Sequence, residues 1–261
     1  MHRLPSSHMT VDPSNTFVDT AALIEATREA NAQVLAALGS LDTPVPTCPG
    51  WAMGDLVRHL GTVHRWATAA MTAAAPTPFD VVQPPAADIA NTDLAGWFTG
   101  GAAAVVTTMD ALSPGAPTWH PFPAAQTTDF WPRRMAHETQ MHAIDAAVAL
   151  GRTPTVAAAI AADGIDEYLD VILTRLLNSG RATAPSGSLH LHCTDTAGEW
   201  LLTPGPDGVD LVREHAKGDA AIRGTARDLW LTMWGRQAVA GEVDIVGDRA
   251  VADAWTAIGG N

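Results

Sequence analysis

The sequence predicts two joined units of different class: a four-helix bundle over residues 17–179 and a small α+β domain over residues 180–261. Three observations carry this. Helical periodicity recurs in four alanine-rich stretches of roughly 20 residues each, joined by long connections. After Gly180 the text changes to short apolar runs separated by Gly, Pro and Asp. Between the two, Arg181-Ala-Thr-Ala-Pro-Ser-Gly has the composition of a linker.

The elements follow in order. Thr20–Leu38 forms a first helix, with Leu23, Ala30, Val34 and Leu38 at helical spacing and Gly39 closing it. A second spans about Met53–Ala74, ended by the breaker Pro76–Pro78. A third covers about Asp93–Leu112, weakened by Gly100 and Gly101 and stopped at Ser113-Pro114-Gly115. Phe130–Leu150 forms the fourth, with Gly151 as its stop. A further helical stretch, Val156–Leu177, leads into the next unit. Strands are expected at Leu189–Thr194, Trp200–Thr203, Val209–Arg213, Ala220–Arg223 and Val243–Val246. Two short helices, Ala226–Gly235 and Arg249–Ile258, flank the last of these. Residues 1–16 are expected to be a flexible extension.

Composition narrows the function. Of 261 residues 47% are hydrophobic and only 16% charged, which provides a core and excludes a disordered chain. The 15 basic residues face 28 acidic ones, a formal net charge of −13, and there is no basic run to meet phosphate. Nucleic acid is therefore not an expected partner. No apolar run approaches a membrane span, and the opening MHRLPSSHM lacks the apolar core of a secretory signal. Two cysteines, Cys48 and Cys193, form neither a disulfide framework nor a CxxC pair, so a cytoplasmic location is expected. Each reads as a small apolar residue rather than a nucleophile.

Chemistry gathers on helices two and four. Leu56, Leu60, Val63 and Ala67 define the buried stripe of helix two, and His59 points along it. Five residues on, His64 is turned about 140° away and is expected to face solvent. Alone, His59 reads as a core histidine bonded to a carbonyl. On helix four, Glu138 and His142 are neighbours at i,i+4 beside the arc of Met141, Ile144 and Val148. A carboxylate–histidine pair facing an inward histidine is how bundles build metal sites, so metal binding stands level with the structural reading. The string His137-Glu-Thr-Gln-Met-His142 is not a zincin motif, because Met141 occupies the second histidine position. His190 and His192 share a strand face without a nearby partner and read as an ordinary solvated pair. Two nitrogens and a carboxylate suit Zn²⁺ in an open site, and the same set accepts Ni²⁺, Mn²⁺ or Fe²⁺.

These blocks resemble a known family. Pro49-Gly-Trp-Ala-Met-Gly-Asp-Leu-Val-Arg-His-Leu and Arg134-Met-Ala-His-Glu-Thr-Gln-Met-His-Ala-Ile-Asp-Ala are similar to the ligand blocks of the mycothiol-dependent maleylpyruvate isomerase family, a group of DinB-like metal-binding bundles. The tail Ile222–Arg236, ending Trp-Gly-Arg, and Gly247-Asp-Arg-Ala resemble the sterol-carrier-like domain appended to them. The resemblance implies that His59, Glu138 and His142 hold a metal, and that Arg236 acts on the catalytic side by gripping an anionic substrate. The other reading of Arg236 is a cap on its helix's last carbonyls. Ala143 and Ile144 replace an aromatic or basic pair of the family, which is expected to alter the pocket wall.

The implied function is a zinc-dependent S-transferase or isomerase whose thiol cosubstrate is mycothiol, an actinobacterial low-molecular-weight thiol. Its other partner would be a small electrophile, in a monomer or homodimer. A zinc hydrolase that activates water is the alternative enzyme. A non-catalytic metal or small-ligand binding protein is the alternative of another class.

Overall fold

The computed structural model describes residues 18–206 and 208–259; the expected extension over 1–16 lies outside them. Four helices form the bundle: α1 (Thr20–Ala36), α2 (Met53–Ala73), α3 (Leu94–Asp110) and α4 (Phe130–Ala149). Asp19 caps α1 by accepting the Ala22 N–H at 2.8 Å, and the Asp55 carboxylate satisfies the Ala52 N–H at 2.9 Å where α2 begins. α2 stops at Ala74, whose left-handed backbone (φ 47°) turns the chain towards Pro76. Gly101 of α3 has a packing reason. A Cβ on Gly101 would lie 2.3 Å from the Arg65 guanidinium, which donates to the Gly61 and Trp97 carbonyls and covers the Trp97 ring.

Around the bundle, α1 packs on α4 and α2 on α3, with α2 also against α4. Leu56, Leu60, Phe98 and Ala143 fill one core layer, and Val63, Trp66, Val105 and Trp131 another.

The C-terminal helical stretch is continuous but not uniform: α5 (Ala158–Glu167) passes through a wide π-helical segment, Tyr168–Leu173, into α6 (Thr174–Asn178). The sheet comprises β1 (Leu189–Cys193), β2 (Glu199–Gly205), β3 (Gly208–Val212), β4 (Ala220–Gly224) and β5 (Asp244–Gly247), in the order β3-β2-β1-β4-β5. The central β1–β4 pair is parallel and the others are antiparallel. Two helices, α7 (Ala226–Met233) and α8 (Arg249–Thr256), lie on one face.

Strand alternation sorts the side chains. Leu189, Leu191, Trp200, Leu202 and Ile222 point into a core with Trp230 and Trp255, while His190, His192 and Glu199 take the opposite face. Ile165, Tyr168, Leu169 and Leu173 belong to this sheet core, so the fifth helical stretch packs with the C-terminal unit. Gly164 makes that approach close: a Cβ there would lie 2.5 Å from the Trp230 ring. The stretch expected as a linker is held as well, for Trp255 donates its indole N–H to the Gly187 carbonyl at 3.0 Å. Among the described residues no helix is long and apolar enough to cross a membrane.

Candidate metal centre

α2 and α4 bring His59, Glu138 and His142 together, with one donor atom of each lying within 4.8 Å of the others. His59 Nε2 is 3.1 Å from Glu138 Oε1, and His142 Nε2 is 3.6 Å from the same oxygen. Trp51, in the turn before α2, lies against both imidazoles at ring-centroid distances of 5.0 and 6.0 Å. That indole fills the space through which the rings would otherwise rotate.

His142 and Glu138 are each aimed by a second group. His142 Nδ1 hydrogen-bonds the Asp145 carboxylate at 3.0 Å, which leaves Nε2 as the donor facing the centre. The Arg134 guanidinium donates to Glu138 Oε2 at 2.7 Å and also pairs with Glu167, so Oε1 is the carboxylate oxygen turned to the histidines. Burial opposes ionisation of Glu138, but hydrogen bonds from His142 and His59 and the Arg134 charge outweigh it and hold its carboxyl well below the usual range. Burial likewise opposes a charged His142; its bonds to Asp145, Cys48 and Glu138 prevail and raise its proton affinity well above the ordinary imidazole value. Two imidazoles and an ionised carboxylate with a fixed tautomer form a donor set that fits Zn²⁺.

Arg236 does reach the bundle, but its fork is occupied. Nε and Nη2 donate to the two oxygens of Asp145 at 3.2 and 3.0 Å, and Nη1 donates to the Trp234 carbonyl at 2.8 Å. The residue is 8% exposed. It combines a bidentate ion pair across the two units with a cap at the end of α7. Cys48 completes the cluster, donating its S–H to Asp145 Oδ2 at 3.3 Å. The thiol expected to be inert thus lies beside the centre.

Two cavities meet at His59 and Glu138, and His142 lines one of them. One, of about 400 Å³, is lined by Cys48, Trp51, His142 and Arg236 among others. The other, of about 430 Å³, is more aromatic, with Trp66, Phe79, Trp119 and Phe122 in its wall. His59, Glu138, Arg134 and Trp234 line both. Arg175 borders the aromatic cavity with its guanidinium 4.6 Å from the Phe122 ring and no carboxylate partner among the described residues. Ala143 and Ile144 do not form the wall; both are buried in the cores on either side of α4.

Two expectations are overturned nearby. His64 does not face solvent: it is 0% exposed, with Nε2 3.0 Å from the Thr139 hydroxyl. α2 has neighbours on two sides, α3 and α4, so its buried surface is wider than one stripe. His137 does diverge from His142, and turns to Asp163 of α5 at 2.6 Å.

The fold and site define a helical bundle with a histidine–carboxylate cluster, a candidate metal cradle, closed on one side by an α+β unit that contributes an arginine. Family models described as the mycothiol maleylpyruvate isomerase N-terminal domain and the MDMPI C-terminal domain match residues 23–147 and 159–254. The chain belongs to the mycothiol-dependent maleylpyruvate isomerase family. Among solved structures it is similar to the crystal structure of the mycothiol-dependent maleylpyruvate isomerase, at 14% identity and a TM-score of 0.61, covering 88% of this chain and 95% of that one. A histidine-to-alanine mutant of that enzyme matches over the same shares, at 14% identity and a TM-score of 0.59. No curated protein matches the chain.

Proposed function

We infer that this protein is a thiol-dependent isomerase or S-transferase acting on a small anionic electrophile, with Zn²⁺ held by His59, Glu138 and His142. The observation that carries the reading is the position of His59 and Glu138 at the seam of two cavities, with His142 beside them in one, which gives a thiol and an electrophile separate approaches to one centre. Bound zinc would stabilise a thiolate at neutral pH. For a cis-alkene diacid, the thiol sulfur bonds to one alkene carbon and the adjoining bond becomes single. That bond rotates, the C–S bond breaks, and the thiol returns unchanged. Mycothiol is the thiol that the family implies.

The chain's own residues supply orientation and charge. Asp145 fixes the His142 tautomer, and Arg236 holds Asp145. The aromatic wall gives the approach to the reacting centre a largely apolar lining. Because Asp145 occupies the Arg236 fork, Arg175 is the cation available to a substrate carboxylate, and Arg236 is a positioning residue.

The test is metal content after purification without added metal, followed by turnover of maleylpyruvate with and without thiol. One equivalent of zinc and strictly thiol-dependent isomerisation are expected. His59→Ala should lower zinc affinity at least about tenfold with helical content unchanged. Full metal retention in that variant would overturn the ligand set, and product formed without thiol would overturn the thiol reading.

A further inference from the structure

The geometry points to a second divalent-metal site on the outer face of the C-terminal sheet, made by His190, Glu199 and His215 with His192 as a further donor. It stands apart from the bundle centre. The donor atoms of His190, Glu199 and His215 all lie within 4.8 Å of one another. His190 Nε2 is 3.1 Å from Glu199 Oε2, His215 Nδ1 is 2.5 Å from the same oxygen, and His192 Nδ1 is 3.2 Å from Oε1. Three imidazoles thus converge on one carboxylate.

Backbone geometry explains the convergence. His190 and His192 are two residues apart on β1 and therefore share a face. Glu199 of β2 is the cross-strand partner of His192, which places its carboxylate between the two rings. His215 comes from the β3–β4 connection, which is tied at both ends. Arg213 pairs with Asp166 at 2.5 Å, and the Asp219 carboxylate accepts the Ser188 N–H and hydroxyl at 2.7 and 2.8 Å. Gly218 allows the tight return, since a Cβ there would lie 2.7 Å from the Ala220 carbonyl. The third imidazole is therefore brought over the sheet by an anchored loop.

The donor set selects the ligand class. Imidazole nitrogens and one carboxylate suit Zn²⁺, Ni²⁺ or Cu²⁺ rather than Mg²⁺ or Ca²⁺, which prefer all-oxygen shells. In a tetrahedral zinc site neighbouring donors stand about 3.3 Å apart, from metal–ligand distances near 2.0–2.1 Å. The three hydrogen-bonded separations lie within about 1 Å of that value, so small side-chain shifts admit an ion. A depression of about 510 Å³ opens in front of the cluster and gives the ion a path from solvent. Lys217 and Arg223 also border it, so a bound cation needs Glu199 to offset their charge.

The experiment uses the full chain carrying His59→Ala and His142→Ala, which removes the bundle centre. Zn²⁺ alone is titrated in competition with a chromophoric chelator, and Co²⁺ absorption in the visible reports the donor set. One equivalent of zinc with a tetrahedral cobalt spectrum is expected. Adding His215→Ala, or Glu199→Gln, should weaken binding at least about tenfold. His215 has a side chain 79% exposed, so its removal leaves the fold in place. As a second arm, His215→Ala in the otherwise unaltered chain should hold less zinc than the unaltered chain at a free zinc concentration that only just fills the site. Absence of zinc from the double variant, or affinity unchanged by His215→Ala, would overturn the site. Neither outcome depends on the bundle centre binding metal.

Discussion

Replacing Asp145 with Asn tests the link between the two units most directly. The carboxylate is fully buried and accepts from His142 at 3.0 Å, from Arg236 at 3.2 and 3.0 Å, and from Cys48 at 3.3 Å. Asparagine keeps the shape and removes the charge, leaving the buried Arg236 guanidinium without its counter-ion. Breaking a buried ion pair from one side costs about 3–5 kcal/mol. In a chain of this length that lowers the melting temperature by about 10 °C, read by calorimetry or circular dichroism. The Arg236→Met partner variant closes a double-mutant cycle. With both charges gone nothing is stranded, so the double variant should be less destabilised than the sum of the singles by about 2 kcal/mol. His142 also loses the group that fixes its tautomer, and zinc affinity should fall about 10–100-fold. A loss below about 1 kcal/mol for Asp145→Asn, or strict additivity in the cycle, would refute the reasoning.

Two further predictions concern the cavity and the core. Arg175→Gln should raise KM for an anionic substrate at least about tenfold, leaving zinc content and the melting temperature nearly unchanged; an unaltered KM would return the substrate carboxylate to another group. Burial lowers the His64 pKa to about 3 from the usual 6.5, so the folded state holds this ring neutral. Between those values the unfolded chain binds the extra proton, so the contribution is intact above pH 6.5 and is lost as pH falls towards 3. At pH 5.5 the cost is about 1.4 kcal/mol, measurable as a shift in denaturant midpoint that His64→Gln should abolish. The same acid shift in that variant would show that the titrating groups lie elsewhere.

Sequence patterns carried much of the architecture because the elements are short, strongly periodic and plainly punctuated. Alternation in Leu189–Cys193 and the turn residues around Gly205 and Gly208 mark strands without tertiary information. The three candidate donors were legible too, since i,i+4 spacing fixes Glu138 and His142 on one helical face whatever surrounds them. Groups joined only by the fold were not. Asp145 meets Arg236 across 91 residues of chain, and Arg175 matters because of the cavity it borders. His190 and His192 looked unpartnered because their shared carboxylate is placed by strand register and His215 by a loop. His64 was misplaced because a wheel drawn for one buried stripe does not describe a helix with two neighbours.

The wide segment Tyr168–Leu173 has a consequence for how the chain can change length. A regular helix advances about 100° per residue, so an added residue re-aims every side chain beyond it. A π turn instead absorbs the surplus within itself and leaves the flanking faces in phase. Leu169 and Leu173 stay in the sheet core while Ile172 and Arg175 border the cavity. The segment works as a slack loop in a taut rope, holding surplus length without turning either end. Removal of Asp170, whose ion-pair partner Arg213 lies 3.8 Å away, should draw the slack out and leave Arg175 at the cavity wall. A second deletion in the helix so regularised would have no slack to draw on, and would swing the arginine off the cavity.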